Sequence, residues 1–278
     1  MQKGAMAVKK IESRDNPRLK YARKVRDRRV AEQIFVEGYR LVEEAVKSGL
    51  AVESCFCAAD FADTERKRNL LNSITRLSDD IFELPERLFA SLADTKTSQG
   101  IVLICGRPKT DLTSFKRNES LTSTALPTFV MLHEVNNPAN VGAVVRTAEA
   151  AGATGIILTQ NSTDVFSPKA LRASMGSAFR LPIWQDGNLK DVFDWAAKEN
   201  LLISAAAGNG EASYTKVDWT RPRLLIFGSE AHGLGGEVLK FVKTTVQIPI
   251  QKPVESLNLA VSAGIILFEA RRQNELKG

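Results

Sequence analysis

The chain predicts an α/β fold in two successive units, the second built on a parallel sheet. Three observations carry this. Short apolar or β-branched runs alternate with stretches whose apolar residues recur at three- and four-residue steps, so strands alternate with helices. Strand–helix alternation after residue 127 implies parallel strands covered on both faces. Between 107 and 127 the pattern lapses into Thr, Ser, Lys and Asp, bordered by Pro108 and Pro127, the composition of a linker. The expected boundaries are therefore 1–106, a linker at 107–127, and 128–278.

In the first unit, Asp15-Asn16-Pro17 turns the chain into a basic helix with Leu19, Tyr21 and Val25 inward. A strand at 33–36 and a turn at Glu37-Gly38 lead to a helix at 39–47, ended by Gly49. Strands at 52–58, 81–84 and 99–105 are separated by helices at 64–77 and 87–93. In the second unit, strands are expected at 128–132, 155–159, 179–183, 201–205 and 223–227. Helices are expected at 140–152, 169–174 and 192–199.

The stretch 246–263 then changes period. Val246, Ile248 and Ile250 alternate until Pro249 and Pro253 stop any strand, since proline has no N–H for a ladder. Leu259, Ala263, Ile266, Leu267 and Ala270 follow with helical spacing, and Ser256 stands where it can cap the first turn.

The chain of 278 residues carries a net charge of +6, and the excess is concentrated in the first thirty positions, among them Arg18, Lys20, Arg23 and Lys24. Such clustering favours a polyanionic partner. Three cysteines form neither a disulfide framework nor a C-x-x-C pair, which fits a reducing, cytoplasmic setting. With two histidines lacking ligand spacing, neither a zinc site nor a His-based triad is expected, and no metal is required. No apolar run reaches membrane-spanning length. No G-x-G-x-x-G follows a strand, which argues against a nucleotide-dependent oxidoreductase.

Three segments, in this order, carry a family resemblance: Asn137-Pro138-Ala139-Asn140-Val141-Gly142 with Arg146 beyond it, Phe227-Gly228-Ser229-Glu230-Ala231-His232-Gly233, and the 246–263 stretch. Together they resemble the motifs of the SpoU (TrmH-like) RNA ribose 2′-O-methyltransferases of the SPOUT superfamily. Asn16 to Lys20, Phe35 to Gly38 and Thr95 to Gly100 resemble that family's amino-terminal substrate-binding domain, similar to the L30e/L7Ae fold. The resemblance implies a carboxyl-terminal trefoil knot over roughly 224–268, an exception to the rule of unthreaded chains. It also implies S-adenosylmethionine as cofactor, RNA as partner, and a homodimer in which the partner completes the site.

Carried over residue by residue, the resemblance makes Arg146, Asn140 and Glu230 the catalytic candidates. It makes Ala206, Gly208, Phe227, Gly228, Gly233, Ile248, Ser256, Leu257 and Asn258 the cofactor contacts. Arg18, Lys20, Arg23 and Lys24 are the expected RNA contacts of the basic arm, joined by Arg172 and Ser174. Glycines at 228 and 233 let backbone approach a ligand closely. A guanidinium stays protonated far above neutral pH, so Arg146 suits a phosphate clamp and stabiliser of a forming alkoxide better than a base. The resemblance associates such a front domain with enzymes of large-subunit rRNA, and so implies that substrate. The alternatives are a tRNA 2′-O-methyltransferase and a non-catalytic rRNA-binding or ribosome-assembly protein.

Overall fold

This computed structural model describes residues 8–119, 126–229 and 233–276, excepting the side chains of 117–119. The chain divides into two compact units, 1–108 with 166–179, and 109–165 with 180–278. In chain order the first elements are β1 (Lys9–Lys10), α1 (Pro17–Arg26), β2 (Gln33–Glu37), α2 (Tyr39–Lys47), β3 (Val52–Ala58), α3 (Glu65–Ile74), β4 (Ile81–Leu84), α4 (Glu86–Leu92) and β5 (Ile101–Gly106). Then come α5 (Leu112–Glu119), β6 (Thr128–Leu132), α6 (Pro138–Ala150), β7 (Gly155–Thr159), α7 (Pro168–Ser174), β8 (Ile183–Gly187) and α8 (Leu189–Lys198). The chain finishes with β9 (Leu202–Ala206), β10 (Ala212–Ser213), β11 (Arg223–Phe227), α9 (Gly235–Leu239), β12 (Thr244–Gln247) and α10 (Leu259–Glu275).

In the first unit the strands lie in the order β1-β4-β3-β5-β2. Strand β5 runs antiparallel to both its neighbours, and the other pairs are parallel. Asn16 starts α1 by accepting the Arg18 N–H at 2.9 Å, with Pro17 preset for the first helical position. Leu19 and Val25 then join Phe35, Phe56, Phe82 and Phe89 in one buried cluster. Helix α7, although distant in sequence, packs on β2 within this unit.

The second unit is a seven-stranded sheet in the order β10-β12-β9-β11-β6-β7-β8, every pair parallel. From β6 the chain first adds β7 and β8 on one side, then returns to place β9 and β11 on the other. The strand order therefore reverses between β6 and β11. Helix α10 packs along α6, and its buried residues are Leu259, Ala263, Ile266, Leu267 and Ala270, the stripe its spacing predicts. Gly264 belongs to this contact, since a Cβ there would meet Thr147 Cγ2 at 3.5 Å.

Four expectations need correction. Residues 107–127 are not simply a linker: α5 lies among them, and Phe115 is fully buried against Phe129, Trp184 and Trp195. Burial of a ring that size contributes about 1.5–3 kcal/mol and anchors this two-turn helix to the core. The strand expected at 179–183 is β8, a few residues later, because Ser177–Phe179 forms a 3-10 turn. Strand β12 stops at Gln247, leaving Ile248 and Ile250 in a loop. The cap of α10 is Asn258 rather than Ser256: its Oδ1 accepts the N–H groups of Ala260 at 2.9 Å and Val261 at 3.4 Å.

Candidate active site

Ala206 and Phe227 end β9 and β11 in register, and Ala206 pairs on its other side with Val246, one residue before the end of β12. Beyond these ends lies a cavity of about 880 Å³. Such a volume falls within the range of about 300–1,000 Å³ typical of small-molecule sites. Its wall includes every residue expected to hold the cofactor: Ala206, Gly208, Phe227, Gly228, Gly233, Ile248, Ser256, Leu257 and Asn258. The fold has thus brought together turns after β9 and β11 with the loop after β12.

One backbone contact shapes this wall. A Cβ on Gly228 would lie 2.3 Å from the Gly233 carbonyl oxygen, so any other residue there requires the backbone of the turn to shift. The Gly233 N–H donates to the Ser229 carbonyl at 2.8 Å, and Gly233 has φ +63°, the left-handed region glycine tolerates. The turn after β11 therefore closes on itself, with bare backbone beside the cavity. Ile248, Leu257 and Leu239 add apolar surface, and the α10 amino terminus stands at the wall through Asn258 and Leu259. Apolar walls with backbone polar groups suit the flat ring and sugar of a nucleoside.

The catalytic candidates divide. Asn137 Oδ1 accepts the Ala139 N–H at 3.0 Å and starts α6, so Asn140 falls in its first turn, buried. Asn258 Nδ2 donates to Asn140 Oδ1 at 3.1 Å, which joins the first and third motif segments. Arg146 lies farther along α6, exposed and outside the cavity wall. Glu149, its nearest acidic neighbour in sequence, takes a bidentate pair with Arg180 at 2.6 and 2.9 Å instead. Glu230 lies outside the described residues, as do Ala231 and His232.

Of the expected RNA contacts, several have intramolecular partners. Arg18 pairs with Asp80 at 2.9 Å and Lys20 with Asp15 at 2.7 Å. The Lys20 ammonium holds the Asp15 carboxyl below its usual range. Arg23 donates to Ser91 Oγ at 2.6 Å and the neighbouring Arg26 to the carbonyls of Ser91 and Leu92, closing the carboxyl end of α4. Lys24 is exposed. Ser174 is fully buried, its hydroxyl donating to the Leu171 carbonyl at 2.9 Å. Arg172 pairs with Asp94 at 2.7 Å and lies 3.8 Å from Glu37.

Glu37 organises the loop before β5. Buried, it accepts the Asp94 N–H at 2.8 Å and both the N–H and the hydroxyl of Thr95. At the loop's far end, Gln99 Oε1 accepts the Tyr39 N–H at 2.7 Å and caps α2. Segments that looked separate in sequence, Glu37-Gly38 and Thr95 to Gly100, are thus tied together by hydrogen bonds, with Lys96 and Thr97 exposed.

Sequence reasoning did not single out Glu211 and Glu255, which also line the cavity. They sit in loops after different strands, and only the sheet order brings those loops together. The proximity of Glu255 to Ser256 and Asn258 was the one available signal.

Residues 127–268 match the SpoU rRNA Methylase family, and residues 16–103 match the MRM3-like substrate binding domain. The 23S rRNA (guanosine(2553)-2′-O)-methyltransferase RlmP of Bacillus subtilis is 28% identical over 273 residues, covering 95% of this chain and 100% of that protein. The AdoMet-bound rRNA methyltransferase of Sinorhizobium meliloti superposes with a TM-score of 0.82 at 29% identity, covering 95% of this chain and 98% of that one. The AdoMet complex of the SpoU methyltransferase AviRb from Streptomyces viridochromogenes gives 0.81 at 26% identity, covering 95% and 99%.

Proposed function

The chain belongs to the SpoU rRNA methylase family, and we propose that it methylates a ribose 2′-hydroxyl of large-subunit ribosomal RNA with S-adenosylmethionine as donor. One observation carries this: the cavity at the carboxyl ends of β9, β11 and β12 is walled by the residues of the second and third motifs. The residues present fit the donor, since the Gly228 turn leaves bare backbone beside an apolar slot of sufficient volume. The bound donor supplies a methyl group made electrophilic by its sulfonium.

The chain's own residues do the rest. The slot lined by Ile248, Leu257 and Leu239 gives apolar surface against which the reactants are held in line, water being displaced as they fill it. Asn258 fixes the α10 entrance against Asn140. Arg146, with no hydrogen bond or ion pair among the described residues, is available to clamp the phosphate beside the target ribose and stabilise the alkoxide as it forms. In the first unit, the loop held by Glu37 and Gln99 presents Lys96 and Thr97 to RNA, with Lys24 on α1.

The same reading takes the chain as a homodimer. Val261 and Phe268, two turns apart on the outer face of α10, are about half exposed (51% and 48%), and Arg146 stands outside the cavity of its own chain. The threading of 224–268 belongs to this reading too, supported by β12 lying between β10 and β9 and by α10 packing on α6. So do the 1–106 and 128–278 functional domains, with α5 and α7 as the exceptions already described. Cys55, Cys57 and Cys105 are buried free thiols, in keeping with a reducing cytoplasmic setting.

Transfer of labelled methyl groups to protein-free rRNA, followed by mapping of the modified ribose, tests the proposal. Methyl label in a large-subunit fragment is the expected result. Label only in tRNA, or RNA binding without any transfer, overturns it in favour of one or other alternative.

A further inference from the structure

Among the described residues of the cavity wall, the charged side chains are Glu211 and Glu255, both acidic and both exposed. They come from separate elements. Glu211 lies in the turn before β10, where its N–H donates to Thr245 Oγ1 at 3.0 Å and holds that turn against β12. Glu255 lies in the loop after β12, three positions before the Asn258 cap. Lysines of the same region, Lys243 and Lys252, are not part of the wall.

We propose that Glu211 and Glu255 select the ligand of this cavity by charge, favouring the methyl donor over its demethylated product. This rests on the cofactor reading above. At neutral pH the donor carries an ammonium, a carboxylate and a sulfonium, for a net charge of +1. Methyl transfer moves CH3 from sulfur to the ribose oxygen, the S–CH3 electron pair stays on sulfur, the hydroxyl proton is released to solvent, and the thioether product is left with no net charge. Two carboxylates on the wall therefore attract the donor and are indifferent to the product.

The location of these groups is what makes the device compatible with catalysis. A carboxylate touching the sulfur would stabilise the sulfonium in the ground state, and that charge is lost as the bond forms, so transfer would slow. Carboxylates in the exposed rim act through solvent on the ligand's net charge and on its rate of entry. Screened interactions across a wet rim are individually small, so the pair is expected to set a donor preference of about three- to tenfold.

Calorimetry with S-adenosylmethionine and S-adenosylhomocysteine, on wild type and on the Glu211→Gln/Glu255→Gln double variant, tests this. The expected result is a donor Kd weakened about three- to tenfold in the variant, with the product Kd unchanged within about twofold. Retained product binding also reports that the variant is folded. Raising the salt concentration should weaken donor binding to wild type and have little effect on the variant. Equal losses for both ligands, or no loss for either, overturns the charge inference while leaving the cofactor reading intact. Failure of both ligands to bind wild type overturns the cofactor reading and the inference with it.

Discussion

The Asn258 amide serves two helices at once: its oxygen caps α10, and its nitrogen donates to Asn140 Oδ1 at 3.1 Å in the first turn of α6. The two roles separate by substitution. Asn258→Asp keeps the capping oxygen and loses the donor, so thermal stability should stay within about 2 °C while methyl transfer falls. Asn258→Ala loses both, and the missing cap alone should cost about 1 kcal/mol. Thermal melts beside single-turnover rates decide this; equal activity for wild type and Asn258→Asp would remove the link between the two asparagines from the mechanism.

Arg146→Ala should reduce methyl transfer by about a hundredfold or more, the scale of losing one transition-state donor, with donor affinity and melting temperature unchanged. Arg146 lies outside its own cavity wall, so a homodimer predicts complementation between subunits. Mixed with Gly228→Val, an inactive Arg146→Ala preparation should regain activity if the arginine works across the interface. Light scattering at micromolar concentration should give twice the chain mass.

Gly228→Ala places a methyl group 2.3 Å from the Gly233 carbonyl oxygen. The turn must open, at a cost of about 1–3 kcal/mol by the usual scale of overpacking. A lower melting temperature with donor binding lost is expected in differential scanning calorimetry and calorimetric titration. A variant that binds the donor normally would show that the turn is free to move.

Glu269 on α10 is held down to about 2 by its bonds to Arg272 and Gln273. Its folded pKa lies below the unfolded value, so its contribution is complete above pH 4.5 and fades as pH falls toward 2. Glu269→Gln should therefore lower stability at pH 7, by about 1 kcal/mol after discounting for solvent. The gap from wild type should close on acidification through that window. Urea melts of the two proteins at a series of pH values check the convergence.

Glu37→Gln brings an NH2 group against backbone donors that the carboxylate now accepts. The loop at 94–100 should loosen, and RNA affinity should fall about tenfold, equivalent to about 1.4 kcal/mol. Donor affinity should not change. Filter binding with an rRNA fragment, next to calorimetry with the donor, separates this from general unfolding.

Much of the site was legible in sequence because its residues follow one another. The α10 stripe from Leu259 to Ala270 shows as periodicity, and the motif turns at Gly228 and Gly233 show as glycines. What sequence hid depends on contacts between distant positions. Helix α5 offers only Leu112 and Phe115 as apolar residues, one turn apart, and becomes a helix because Trp184 and Trp195 receive the ring. Arg23 looks like a free basic residue until Ser91 on α4 is brought beside it. Ser256 and Asn258 are equally good caps by type, and the loop after β12 decides between them.

Helix α7 leaves the chain of the second unit after Val165, packs on β2, and hands the chain back at Arg180. The two modules are consequently not beads separable by a single cut. A fragment beginning at 109 would carry α7, whose Leu171 is wholly buried in the intact protein, without the strand β2 on which the helix packs. Any chimera that grafts a different front module onto this chain must exchange 166–179 along with it.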